Sequence, residues 1–407
     1  MPAALMPGPP RLHCLSYVNR LLARHYLVAR QSRHLPAFAR PPLAWVTSGA
    51  PVEILRSMGI MCVYPENFSA LVAARKQGET LCRVAEDAGY SPDLCSYARI
   101  NLGSVLRPQL APLGGLPPPD LLVACNNICG TVLKWYQELA LLFEVPLFVL
   151  DAPFLYEEDT AALDYVRGQL EELIVWLEKT VRRRFQAARL EQVVARSAEA
   201  TALWEEIRQL GRLRPSPINV PDLFVTMGPV VTLRGSQSAT RFYSRLKREL
   251  ETRVQKGLAA VPGERIRLLW DNIAIWYRLH RFFRPFTEQG ACFVVDTYTA
   301  GWSVRLQGED PLRALAVAYT TVFLNRSVEY RARQIQQLIH DFAVRGVVMH
   351  ANRSCKPYSG IQPVLARLIS SRTGAPVLIV EADMADPRVF TEEGVRNRVE
   401  AFLEALS

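Results

Sequence analysis

Eight short apolar runs, mostly uninterrupted, punctuate the chain. "LAWVTS" (43–48), "MCVYPE" (61–66), "DLLVAC" (120–125) and "PLFVLD" (146–151) lie in the first half. "RLLWDN" (267–272), "CFVVDT" (292–297), "GVVMHA" (346–351) and "PVLIVE" (376–381) lie in the second. Continuous runs of this length, without polar alternation, are expected of parallel strands covered on both faces. Helical patterns separate them. In each half a long insertion divides the second run from the third, and a single helix divides the third from the fourth. One plan therefore occurs twice, and each copy predicts a four-stranded parallel α/β unit.

Between the copies, residues 156–255 carry no strand signal and are rich in Arg, Glu, Leu and Ala. Residues 171–211 place apolar side chains at helical spacing and end in Gly211. They predict a helical connector that packs on both halves. Its Arg182, Arg183 and Arg184 read as a solvated face, with an acidic partner surface as the alternative. The expected organisation is an extension over 1–40, a first α/β domain over 41–155, the connector over 156–260 and a second α/β domain over 261–407.

About half of the 407 residues are apolar (49%), enough for two α/β cores. The eight cysteines are scattered, which argues against a disulfide framework and for a reducing compartment. No uncharged apolar run reaches membrane-spanning length, since "LALLFEVPLFVL" is broken by Glu144 and Pro146. A cytoplasmic protein is expected. Of the nine net positive charges, six fall in residues 1–40, which hold six arginines and no Asp, Glu or Lys. Only three remain for the other 367 residues, so charge gives no case for nucleic-acid binding. The basic segment itself is open between a docking helix, an upstream start codon and an organelle transit peptide.

Ligands of open parallel sheets gather at the carboxyl ends of the strands. Cys129, in "CNNICGT" (125–131), follows the third run and falls near a helix N-terminus, where free N–H groups and the helix dipole favour a thiolate. Cys355, in "GVVMHANRSCKPYSG", occupies the corresponding place in the second half. Cys95, in "SPDLCSYARINLG", stands at a helix start behind the capping signal Ser91-Pro92-Asp93. Cys62 and Cys292 lie inside strand runs and Cys82 on an apolar helix face, as core residues do. Three thiols on separate loops suggest a metal centre in the cleft between the halves. Spacing alone leaves zinc, with His350 as a fourth ligand, open beside an iron–sulfur cube and beside three unrelated cysteines.

"AWVTSGAPVEILRSMGIMCVYPEN", "DLCSYARINLG", "NNICGTVLKWYQ" and "HANRSCKPYSG" resemble, in this order and spacing, the 2-hydroxyacyl-CoA dehydratase and benzoyl-CoA reductase family. The resemblance runs from about Leu43 to the C-terminus. It implies two flavodoxin-like units and a [4Fe–4S] cluster held by Cys95, Cys129 and Cys355. It also implies roles facing the open iron for Ser48, in "VTSGAP", and Glu66, in "VYPEN"; taken alone these read as a helix N-cap and a solvated acid. Cys125 departs from the pattern, either as an idle neighbour or as part of a larger double-cubane cluster.

The implied activity is loss of water from a 2-hydroxyacyl-CoA thioester through a one-electron ketyl radical. The implied partners are a homologous second subunit, in a homo- or heterodimer, and an ATP-hydrolysing iron–sulfur activator. No "GxxxxGK[ST]" motif is present, in keeping with ATP being handled elsewhere. Alternatives of the same resemblance are an aryl-CoA reductase subunit and a non-catalytic electron-transfer subunit; Ser48 and Glu66 disfavour the latter.

Overall fold

A computed structural model of the chain describes residues 11–406. A helix, α1 (His13–Ser32), precedes the first sheet. There follow β1 (Leu43–Val46), α2 (Val52–Ser57), β2 (Met61–Val63), α3 (Pro65–Ala74), α4 (Gly78–Asp87) and α5 (Ser96–Leu106). β3 (Leu121–Cys125), α6 (Thr131–Phe143) and β4 (Leu147–Leu150) complete the unit. Its strands form one parallel sheet in the order β2-β1-β3-β4.

Five helices come next: α7 (Thr160–Val181), α8 (Ala187–Gln209), α9 (Val220–Thr226), α10 (Gly228–Thr232) and α11 (Gln237–Gln255). The second unit runs β5 (Ile266–Asp271), α12 (Leu279–Glu288), β6 (Ala291–Asp296), α13 (Thr297–Ala300), α14 (Pro311–Thr320) and α15 (Val328–Asp341). It ends with β7 (Gly346–Asn352), α16 (Lys356–Ser359), α17 (Gln362–Thr373), β8 (Val377–Ala382) and α18 (Glu392–Leu406). Its sheet is again parallel and repeats the order, β6-β5-β7-β8. The protein is thus α/β with two flavodoxin-like units, as the eight runs predict. One detail differs: two helices rather than one join β7 to β8, because Gly360 and Pro363 interrupt the path.

The continuous apolar runs reflect burial on both faces. Along β1, Ala44 and Val46 join one core while Leu43 and Trp45 join another on the opposite side. β5 divides likewise, with Leu268 and Trp270 on one face and Leu269 on the other. α8 ties the units together. Its first half sends Leu190 and Val194 into the first unit's core, and its second half sends Ala200, Trp204 and Ile207 into the second's.

The basic N-terminal segment, within its described part, is a docked helix. Cys14 and Val18 of α1 are buried in the second unit's core, and Tyr26 and Ala29 in the first's. Arg33 grips Asp120 with both guanidinium nitrogens, at 2.9 and 2.7 Å. Residues 1–10, part of the expected extension, lie outside the described residues. Of the described helices, none is long and apolar enough to cross a membrane.

Candidate functional site

In each sheet the order reverses direction between the central strands, and a crevice opens there at the carboxyl ends. β1 stops at Val46 and β2 at Val63. Ser48 therefore lies in the turn after β1, not at its end. Glu66 lies in the first turn of α3, which Pro65 opens. The Ser48 backbone N–H donates to Glu66 Oε2 at 2.8 Å. Burial pushes the Glu66 carboxyl up to about 7, against the pull of the Ser48 N–H and hydroxyl. Near neutrality this group exists in both protonation states, as an acid–base participant must.

The three cysteines from separate loops come together. Cys95 is the N-cap of α5 and Cys355 that of α16. Cys129 stands just before α6, where the Thr131 N–H donates to its sulfur at 3.3 Å. Ser91-Pro92-Asp93 is a turn ahead of α5 rather than its cap. All three cysteines, with Ser48 and Glu66, line one cavity of about 140 Å³ between the units. Burial raises the Cys95 thiol to about 12, and the Cys129 sulfur adds to the rise. Burial also raises the Cys355 thiol well above its ordinary range, with Cys95 and Cys129 both opposing its ionisation. The Cys95 and Cys355 thiols, kept neutral by burial and by neighbouring sulfurs, are groups that a bound polynuclear cation would ionise. Helix-end N–H groups would then stabilise the resulting thiolates. Among the described residues, no three His, Cys, Asp or Glu side chains lie close enough together to grip a single ion. His350 does not join the three thiols: it is fully buried on β7, its Nδ1 2.7 Å from the Ile273 carbonyl oxygen.

Hydrogen bonds across the units hold the thiols in place. The Ser354 hydroxyl donates to Asp383 Oδ2 at 2.5 Å and accepts the Ser96 N–H at 3.0 Å. The residues beside Cys355 and Cys95 are thereby joined directly. Asn127, buried two residues before Cys129, donates to the carbonyls of Gly49 (3.1 Å) and Tyr319 (2.7 Å). A Cβ at Gly49 would stand 2.3 Å from Asn127 Oδ1, so any larger residue here would have to displace the Asn127 amide. Deeper still, Glu53 of α2 meets Arg234 at 3.1 Å and accepts from the hydroxyls of Ser197 (2.7 Å) and Tyr319 (2.6 Å). Both charges are fully buried, and Arg234 also lines the cavity.

Sequence reasoning missed Tyr97, Tyr298 and Trp302, which wall the same cavity. Tyr298 stands near both Glu66 and Cys355, and the hydroxyl of Tyr97 accepts from the Trp276 indole. Tyr298 lies two residues past the end of β6, so the strand-end rule that singled out Cys129 could have found it. Cys125, the last residue of β3, faces the other core and does not line the cavity. Cys62, Cys82 and Cys292 are fully buried, as expected of core residues.

A family model described as "2-hydroxyglutaryl-CoA dehydratase, D-component" matches residues 47–406. The chain is 33% identical over 393 residues to the (R)-2-hydroxyisocaproyl-CoA dehydratase alpha subunit of Clostridioides difficile, covering 96% of this chain and 95% of that one. It is 28% identical to the alpha subunit of (R)-2-hydroxyglutaryl-CoA dehydratase from Acidaminococcus fermentans, covering 89% and 91%. With a benzoyl-CoA reductase subunit from Thauera aromatica it shares 29% identity, covering 86% and 85%.

Proposed function

Because this chain belongs to the 2-hydroxyglutaryl-CoA dehydratase D-component family, we propose that it is a subunit of a 2-hydroxyacyl-CoA dehydratase. The reaction is elimination of water from a 2-hydroxyacyl-CoA thioester. The names of its relatives support a hydro-lyase acting on such esters. The observation that carries the reading is one cavity lined by three thiols and the Ser48–Glu66 pair.

Cys95, Cys129 and Cys355 would hold a [4Fe–4S] cluster with one iron free of protein ligands. When bound, such a cluster supplies a single low-potential electron and a Lewis-acidic iron. The chemical need is clear: the β-hydrogen of the thioester is barely acidic. One electron added to the thioester carbonyl yields a ketyl radical, which expels the 2-hydroxyl and acidifies the β-position. Loss of the β-proton and return of the electron leave the 2-enoyl-CoA and water, with no net oxidation.

The chain's own residues would manage the protons. Glu66, able to hold a proton near neutrality, donates to the departing hydroxyl or accepts the β-proton. The Ser48 N–H fixes the carboxylate's direction, while the Ser48 hydroxyl orients the substrate. Tyr97, Tyr298 and Trp302 keep bulk water from the radical. The expected partners are a homologous second subunit and an ATP-hydrolysing iron–sulfur activator. A second reading, a subunit of an ATP-dependent aryl-CoA reductase, draws on the likeness to the benzoyl-CoA reductase chain.

The anaerobic complex, with activator, ATP and reductant, should convert a 2-hydroxyacyl-CoA to the enoyl-CoA using electrons only catalytically. Stoichiometric electron consumption with an aryl-CoA would favour the reductase. Turnover by the isolated chain with a nicotinamide cofactor would overturn both readings.

A further inference from the structure

A second cavity, of about 150 Å³, adjoins the thiol-lined one and shares Ser48, Glu66, Tyr97, Tyr298 and Trp302 with it. One wall is α3. Glu66, Ala70 and Ala74 follow at intervals of four residues and so form a single stripe, about 12 Å long at 1.5 Å per residue. Beyond the carboxyl group, this stripe carries only methyl groups, and they leave the space open. The facing wall is mostly apolar: Leu22 from α1, Phe224 from α9, Met227 between α9 and α10, and Val231 from α10, with Asn19 of α1 as its polar member. Of the polar side chains here, Tyr26 and Asn67 satisfy each other at 2.7 Å.

Charge is as informative as shape. Among the described residues, no Arg, Lys or His lines the second cavity. The first has one cation on its described wall, Arg234, which is already committed to Glu53. Residues 1–10, outside the described chain, contain no Lys, Arg or His. A second carboxylate on the substrate would be desolvated beside Glu66 with no counter-charge, a costly arrangement.

Resting on the dehydratase reading above, we infer that the substrate's acyl side chain is uncharged and apolar and lodges along the Glu66–Ala70–Ala74 stripe. The size of the cavity suits a branched aliphatic or phenyl group, since an apolar cavity of about 150 Å³ accepts a benzene. The thioester end then lies at the shared Ser48–Glu66 wall, next to the thiols.

The test uses the anaerobic complex with (R)-2-hydroxyisocaproyl-CoA, (R)-2-hydroxyglutaryl-CoA and lactoyl-CoA, measuring kcat/KM and, by calorimetry, binding of the corresponding enoyl-CoAs. The glutaryl ester should be poorer than the isocaproyl ester by about 100-fold or more. Ala70→Leu should cut kcat/KM for the isocaproyl ester by about 10–200-fold and spare lactoyl-CoA. Ala74→Phe, at an exposed position that does not endanger folding, should act in the same direction. Equal use of the glutaryl ester, or equal losses for isocaproyl and lactoyl esters in both variants, would overturn the inference and leave the dehydratase reading standing. Enoyl-CoA binding in the expected order without dehydration of any ester would uphold the acyl pocket and remove the dehydratase reading. Failure of every ester to bind would overturn both.

Discussion

The two sheets share one topology and put it to different uses. At the strand ends of the second unit, buried carboxylates are tied off by neighbours of their own unit. Asp271 accepts from the Thr297 hydroxyl at 2.7 Å and the Gln362 amide at 3.1 Å. Asp296 accepts both the N–H and the hydroxyl of Thr299, capping α13. In the first unit, Glu66 is bonded by Ser48 and faces the cavity. The first unit thus offers a carboxylate free to exchange a proton, while the second contributes Cys355 and the aromatic wall of Tyr298 and Trp302. A duplicated fold need not duplicate its chemistry. Each of these acids has at least two donors, so what sets Glu66 apart from Asp271 and Asp296 is that it lines the cavity and they do not.

The contrast can be broken most sharply at Glu66. Glu66→Gln keeps the shape and loses the titrating proton, so turnover should fall about 10²–10⁴-fold with iron content unchanged. Parent-like turnover at full iron occupancy would remove Glu66 from the chemistry. Next comes the buried pair that joins α2 to the connector. Glu53→Ala leaves Arg234 buried without its counter-charge and should cost about 3–5 kcal/mol in denaturant unfolding. Adding Arg234→Met should recover part of that loss.

Smaller still, Asp271→Asn should cost about 1–3 kcal/mol, because one of its donors then meets an amide instead of a carboxylate. Turnover per folded, iron-loaded molecule should stay near the parent value. A large fall in turnover at Asp271→Asn would erase the distinction between the two units.

A last effect is on the pH dependence of stability. The folded-state pKa of Glu66, about 7, lies above the usual carboxylate value of about 4.3. Protonated Glu66 therefore favours the fold; its contribution is whole below about pH 4.3 and is lost as pH rises through 7. Glu66→Gln should flatten this decline, so its denaturant midpoint should gain on the parent's between pH 5 and pH 8. Parallel midpoints at both pH values would show that Glu66 is not desolvated as described.

Much of this was legible in the sequence because local pattern and topology agree. Doubly covered strands such as β1 and β5 must be apolar throughout, and Cys129 and Cys355 follow equivalent third strands. What stayed illegible depends on contacts between distant segments. The zinc reading failed to place His350 correctly because spacing says nothing of side-chain direction; the β7 pleat and the Ile273 carbonyl decide it. Arg234 read as one arginine among many until Glu53, more than 180 positions away, was placed against it. The Ser96–Ser354–Asp383 link was hidden for the same reason. Cys125 could not be judged from its nearness to Cys129, since the last residue of a strand can face either core.

The central claim is that cysteines from both units hold one cluster in the cavity between them. Iron and acid-labile sulfide per chain, measured on anaerobically purified protein, test it most directly. The account predicts about four irons for the parent and for Cys125→Ala, and loss of the cluster in each of Cys95→Ala, Cys129→Ala and Cys355→Ala. A zinc-only protein after anaerobic reconstitution, or full iron retained by any one of those three variants, would contradict it.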